Sequence, residues 1–121
     1  MAFSNYILSG VGVHNPSEIF SRKKMCDCID TIFSAEKTLD KCAVCVCYFP
    51  DNDFFTYGAE TEFRDIPNGE FSLLSNITLN GVNDMFVYQV PFDKGCSDFN
   101  SFFETFYSDV SVKMKNVLGI V

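Results

Sequence analysis

Apolar positions in this chain follow two periods: continuous or alternating runs that suit strands, and recurrences every three to four residues that suit helices. Asn5 to Val13 (NYILSGVGV) is rich in aromatic and β-branched residues and reads as an edge strand. A helix start follows, since Asn15 has N-cap chemistry, Pro16 suits the first helical position and Glu18 sits where a capping box places its acid. Ile19, Cys26, Ile29 and Phe33, flanked by Met25 and Ile32, mark one apolar face and predict a helix to about Glu36. Arg22, Lys23 and Lys24 lie off that face.

Cys42 to Phe49 (CAVCVCYF) is an uninterrupted apolar run closed by Pro50, the pattern of a strand covered on both faces. The turn cluster Pro50-Asp51-Asn52-Asp53 predicts an antiparallel return over Phe54 to Arg64. Along it Glu60, Glu62 and Arg64 would take a solvated face, with Thr61 and Phe63 on a covered one. Ile66-Pro67-Asn68-Gly69 signals another turn. Phe71 to Leu79 and Asp84 to Phe92 then pair through Asn80-Gly81, a strong hairpin signal. Phe99, Phe102, Phe103, Phe106, Tyr107, Val110, Met114, Val117 and Leu118 trace a final helix, capped by Ser97 or Asp98 and ended at Gly119.

The predicted fold class is α+β: a single domain over residues 1–121, with an antiparallel β-meander of about four to five strands and an N-terminal and a C-terminal helix packed on one face. A chain of this length buries roughly 65–70% of its unfolded surface. Hydrophobic content of 47%, with 14 Phe, supplies the core. The N-terminus has no charged leader and no apolar stretch approaches a membrane span, so the expected setting is cytoplasmic.

Charge adds the functional clue. Between Asp51 and Glu70, six acids face one base, Arg64, which places five of the seven net negative charges in this tract. A pI near 4.4 argues against direct binding to nucleic acid and disfavours an anionic membrane, because both need clustered Lys and Arg. An uneven acidic charge points instead to a basic partner.

The six cysteines, Cys26, Cys28, Cys42, Cys45, Cys47 and Cys96, read as thiols in apolar segments rather than zinc ligands or disulfides. Cys42-x-x-Cys45 would point to opposite faces of a strand, whereas zinc and redox pairs sit on turns or helix starts. Gly10-x-Gly12 is half of a phosphate loop and lacks its third glycine. His14 is the only histidine and has no nucleophile motif beside it, so the chain reads as no enzyme, with no metal and no cofactor.

The expected role is therefore a small acidic, non-catalytic interaction or inhibitor module of the immunity-protein or phage anti-defence type. Its docking residues would be Asp51, Asp53, Phe54, Phe55, Tyr57, Glu60, Glu62 and Asp65, carboxylates around aromatic anchors. The partner would be a basic protein surface, such as a nucleic-acid-binding enzyme or a toxin. The Phe-rich last helix suggests a homodimer. The alternative is a ligand-sensing domain with a Phe- and Cys-lined pocket.

Overall fold

The apolar run in the middle of the sequence becomes the central strand of the protein. The computed structural model describes residues 5–11, 21–51, 54–79, 81–95 and 98–118. In chain order these form β1 (Asn5–Val11), α1 (Arg22–Ala35), β2 (Lys41–Phe49), β3 (Phe54–Glu60), β4 (Ser72–Thr78), β5 (Gly81–Asp93) and α2 (Phe99–Leu118). The strands make one five-stranded antiparallel sheet in the order β1-β3-β2-β5-β4. The architecture is α+β, with a helix from each half of the chain, as expected.

Both predicted hairpins, β2–β3 and β4–β5, are present. They meet through β2 and β5 instead of following chain order, and β1 adds outside β3. The central place of β2 explains its composition, since every residue from Cys42 to Tyr48 is buried. One face of the sheet carries Val44, Val46, Tyr48, Phe55, Tyr57, Ala59, Tyr88 and Phe92. These pack with Met25, Ile29, Ile32 and Phe33 of α1 and Phe103, Phe106, Val110 and Met114 of α2 in one core. Both helices thus cover the same face.

α1 begins at Arg22, and its N-cap is Ser21, whose side chain accepts from the Lys24 amide at 3.3 Å. The cap signal at Asn15, Pro16 and Glu18 lies outside the described residues, as does Ile19. The buried stripe runs Met25, Cys28, Ile29, Ile32 and Phe33. Cys26 is turned to its margin, with its thiol 3.7 Å from the Asp30 carboxylate. α2 is capped by Asp98, whose carboxylate accepts from the Ser101 amide at 3.0 Å. Its rings form a ladder against β5: Phe102 meets Phe92 edge-on at 5.0 Å, and Phe106 stacks on Phe102 and meets Tyr88 at 5.9 Å. Phe103 and Phe106, on the helix expected to offer a dimer face, are buried against the protein's own sheet.

β4 ends at Thr78 and β5 begins at Gly81, whose φ of +119° suits glycine. Gly81 therefore starts the strand rather than completing the turn, and Asn80 lies outside the described residues. β5 also runs through Pro91, which pairs in register with Ala43. The Gly69 amide donates to the Gln89 carbonyl at 2.8 Å, so alternate residues of β5 turn their backbone groups away from β2. Pro91 belongs to that set, and β4 stops opposite Val87, so the donor that proline lacks is not needed. Among the described residues no helix is long and apolar enough to cross a membrane.

Candidate functional site

The interleaved strand order forces the chain leaving β3 to cross β2 and β5 before it can begin β4. Helices occupy one face, so residues 61–70 cross the other as a strap. Its middle is fixed by Gln89, a polar side chain only 1% exposed within β5. The Gln89 Oε1 accepts from the Arg64 amide at 3.0 Å, while its Nε2 donates to the Arg64 carbonyl at 2.8 Å. The same Nε2 lies 3.4 Å from the Ile66 carbonyl and 3.3 Å from the Asn68 Oδ1.

Arg64 turns its guanidinium under the strap. One nitrogen donates to Glu60 Oε2 at 2.9 Å and lies 3.9 Å from the Cys45 sulfur. Burial works against the charge on Arg64, and the Glu60 carboxylate together with the Cys47 and Cys45 thiols offsets it, leaving the group held above its ordinary range. The far end of the strap is tied to α2, where the Lys113 ammonium donates to the Gly69 carbonyl. Gly69 itself has a φ of +80°.

This arrangement corrects the expected site. Glu60 is 4% exposed and sits in an internal ion pair, because its side of β3 faces the strap rather than solvent. The predicted strand stops at Glu60, so Thr61 to Arg64 do not continue its alternation. Phe55 is fully buried and stacks on Tyr48 at 4.3 Å. Tyr57 is buried, and its hydroxyl accepts from the Ser21 amide at 3.4 Å. Phe55, Tyr57 and Glu60 are therefore core residues and not partner contacts. Asp51 is exposed, but at the other end of β3, about 20 Å from the strap at strand spacing. Asp53 and the Phe54 side chain lie outside what is described.

Glu62, Asp65 and Glu70 are exposed on the strap, and Phe63 is 38% exposed among them. Sequence reasoning missed Gln89 and Arg64 as the groups that hold this segment. The available signal was a lone amide in an otherwise apolar strand, Met85-Phe86-Val87-Tyr88-Gln89-Val90.

The chemistry of the other groups is muted. Cys26, Cys28, Cys42, Cys45 and Cys47 are free thiols. Cys42 faces the helices, whereas Cys45 and Cys47 face the strap side. Burial pushes Cys42 up to about 12 and also raises Cys28, Cys45 and Cys47, so all four resist forming the nucleophilic thiolate. Among the described residues no three His, Cys, Asp or Glu side chains are grouped to hold a metal. Gly12, His14 and Cys96 lie outside the described residues.

A concavity of about 290 Å³ lies between β5 and α2. Val90, Pro91, Phe102, Thr105 and Phe106 line it, and Tyr88 and Asp109 provide its polar end. The Tyr88 hydroxyl donates to Asp109 Oδ2 at 2.6 Å, and Lys113 pairs with Oδ1 at 3.2 Å. Burial first, then the Asp109 carboxylate, raises Tyr88 well above the usual phenol range.

No protein-family model matches the chain, and no curated protein or solved structure matches it significantly.

Proposed function

We propose that the protein is a small acidic interaction module without catalytic duty, an inhibitor that presents its strap to a basic surface of another protein. The observation that carries this reading is the pairing of exposed charge with a fixed backbone. Glu62, Asp65 and Glu70 are exposed along the same short segment as the half-open Phe63 ring, and Gln89 clasps that segment at Arg64. Exposed carboxylates on the segment that carries an aromatic anchor favour steered encounter, and a pre-ordered segment loses little freedom on docking. The partner class is a basic protein, with a nucleic-acid-binding enzyme or a toxin as the cases that offer such a surface. An immunity or anti-defence role is the form this would take by analogy with other small acidic proteins. The free thiols support a reducing, cytoplasmic setting.

The test is a set of charge reversals. Glu62→Lys, Asp65→Lys and Glu70→Lys combined should abolish capture of a basic protein that the unaltered chain retains at low salt and releases at high salt. Asp51→Lys, at the other end of β3, should leave capture intact. Equal retention by the triple variant removes the proposal.

A second reading, a small-ligand sensor, rests on the cleft between β5 and α2. Its apolar walls and the Tyr88–Asp109 end would suit a small aromatic compound bearing a hydrogen-bond donor. A rise in melting temperature with such compounds, lost in Phe102→Lys, would support it.

A further inference from the structure

We infer that β4 is a homodimerisation edge, pairing antiparallel with the β4 of a second copy about a two-fold axis at Ser75. β4 ends the sheet, and among the described residues only β5 pairs with it. Soluble proteins guard such an edge with charge, proline, a bulge or cover. This one has no charged residue and no proline from Phe71 to Asn83, in a chain that is 21% charged.

The exposed side chains favour a second copy over an unrelated strand. Leu73 is 57% exposed and Ile77 81%, on the same side of the strand, with Val82 opposite Ile77 at 64%. Reversing β4 about Ser75 sets Leu73 against Ile77 of the second copy, and Ile77 against its Leu73. An apolar residue thus meets an apolar residue at both places, and serine meets serine between them.

The backbone agrees with that register. Thr78 and Gly81 flank the hairpin turn and face each other across it, so their groups point inward. Alternation then leaves Leu73, Ser75 and Ile77 with their N–H and C=O groups directed outward. These are the residues that the two-fold brings opposite one another, and each facing pair can exchange two hydrogen bonds.

Charge does not oppose the pairing. Asp84, opposite Ser75 on β5, would lie across three strand spacings from its copy, about 14 Å, beyond the screening length at physiological salt. The contact is short, about 23 Å of strand, so the dimer should form reversibly at micromolar concentrations of the chain.

Sedimentation of the full chain across about 1 to 200 μM should show a monomer–dimer equilibrium. Ile77→Lys changes a side chain that is already solvated, and Ser75→Pro removes an outward N–H without touching the β5 ladder. Both should weaken the dimer at least about tenfold while the circular dichroism spectrum stays that of the parent. Ser75→Cys, with Cys26 and Cys96 replaced by Ser, should oxidise to a symmetric disulfide dimer, and Asp51→Cys in the same background should not. A monomer at every concentration, a dimer indifferent to both variants, or an open-ended ladder of higher species would each overturn the inference.

Discussion

The side-chain amide of Gln89 holds Arg64 by both backbone groups, accepting from its N–H at 3.0 Å and donating to its C=O at 2.8 Å. A buried glutamine here does what a neighbouring strand would do, at a point where the chain crosses the sheet and cannot pair with it.

Gln89→Leu should therefore cost more than a surface change. It keeps the volume but leaves the Arg64 amide and carbonyl without their partner under a covered segment, a loss of about 2–4 kcal/mol. Chemical denaturation should show that loss. Hydrogen exchange should show the Arg64 amide opening faster than amides of β2.

Glu60 and Arg64 should behave as a coupled pair. Arg64→Leu strands a carboxylate that is almost fully buried and should lower stability by about 3 kcal/mol at neutral pH. Glu60→Leu together with Arg64→Leu should cost less than Arg64→Leu alone. A double-mutant cycle that comes out additive would show that the pair carries no coupling.

High pH should unfold the protein earlier than its composition suggests. Cys42 titrates near 12 when folded, against 9.0 for an ordinary thiol, and Tyr88 is raised as well. The folded state then binds protons more tightly than the unfolded chain. This stability is complete below pH 9 and declines above it, by about 1.4 kcal/mol per pH unit for Cys42 alone until its folded value is reached. Urea midpoints measured from pH 8 to 11 should fall, and Cys42→Ala, though less stable at pH 8, should flatten the slope.

The ring ladder between α2 and β5 should be the most sensitive part of the core. Phe106 is 2% exposed and touches Tyr88, Phe102 and Phe103, so Phe106→Ala should cost about 3–5 kcal/mol. Tyr88→Phe removes only the hydrogen bond to Asp109, which keeps Lys113, and should cost about 1–2 kcal/mol. Thermal melts of the two variants should separate by that difference.

Much of the fold could be read from periodicity. The Cys42–Tyr48 run specified a central strand, the α2 stripe specified its helix, and the turn clusters gave both hairpins. Strand order could not be read this way, because nothing local distinguishes hairpins laid in sequence from hairpins joined through β2 and β5. That gap misplaced the site. With the helices on one face, alternation alone leaves the other face open to solvent and Glu60 projecting from it. Once residues 61–70 cross that face, Glu60 becomes an internal partner, while Glu62, Asp65 and Glu70 stay outside; Phe55 and Tyr57 belong to the core because their side of β3 faces the helices.

The interleaved sheet has a consequence for how the chain can be divided. A cut within residues 61–70 yields two pieces, one holding β1, α1, β2 and β3 and the other β4, β5 and α2, each with a complete local hairpin. Among the described residues, the only ladder between the two pieces is that of β2 with β5. Reassociation would be an act of recognition between the two pieces, with the central seam of the molecule serving as its interface. The protein is built as a dimer of its own halves, fastened by a single covalent crossing.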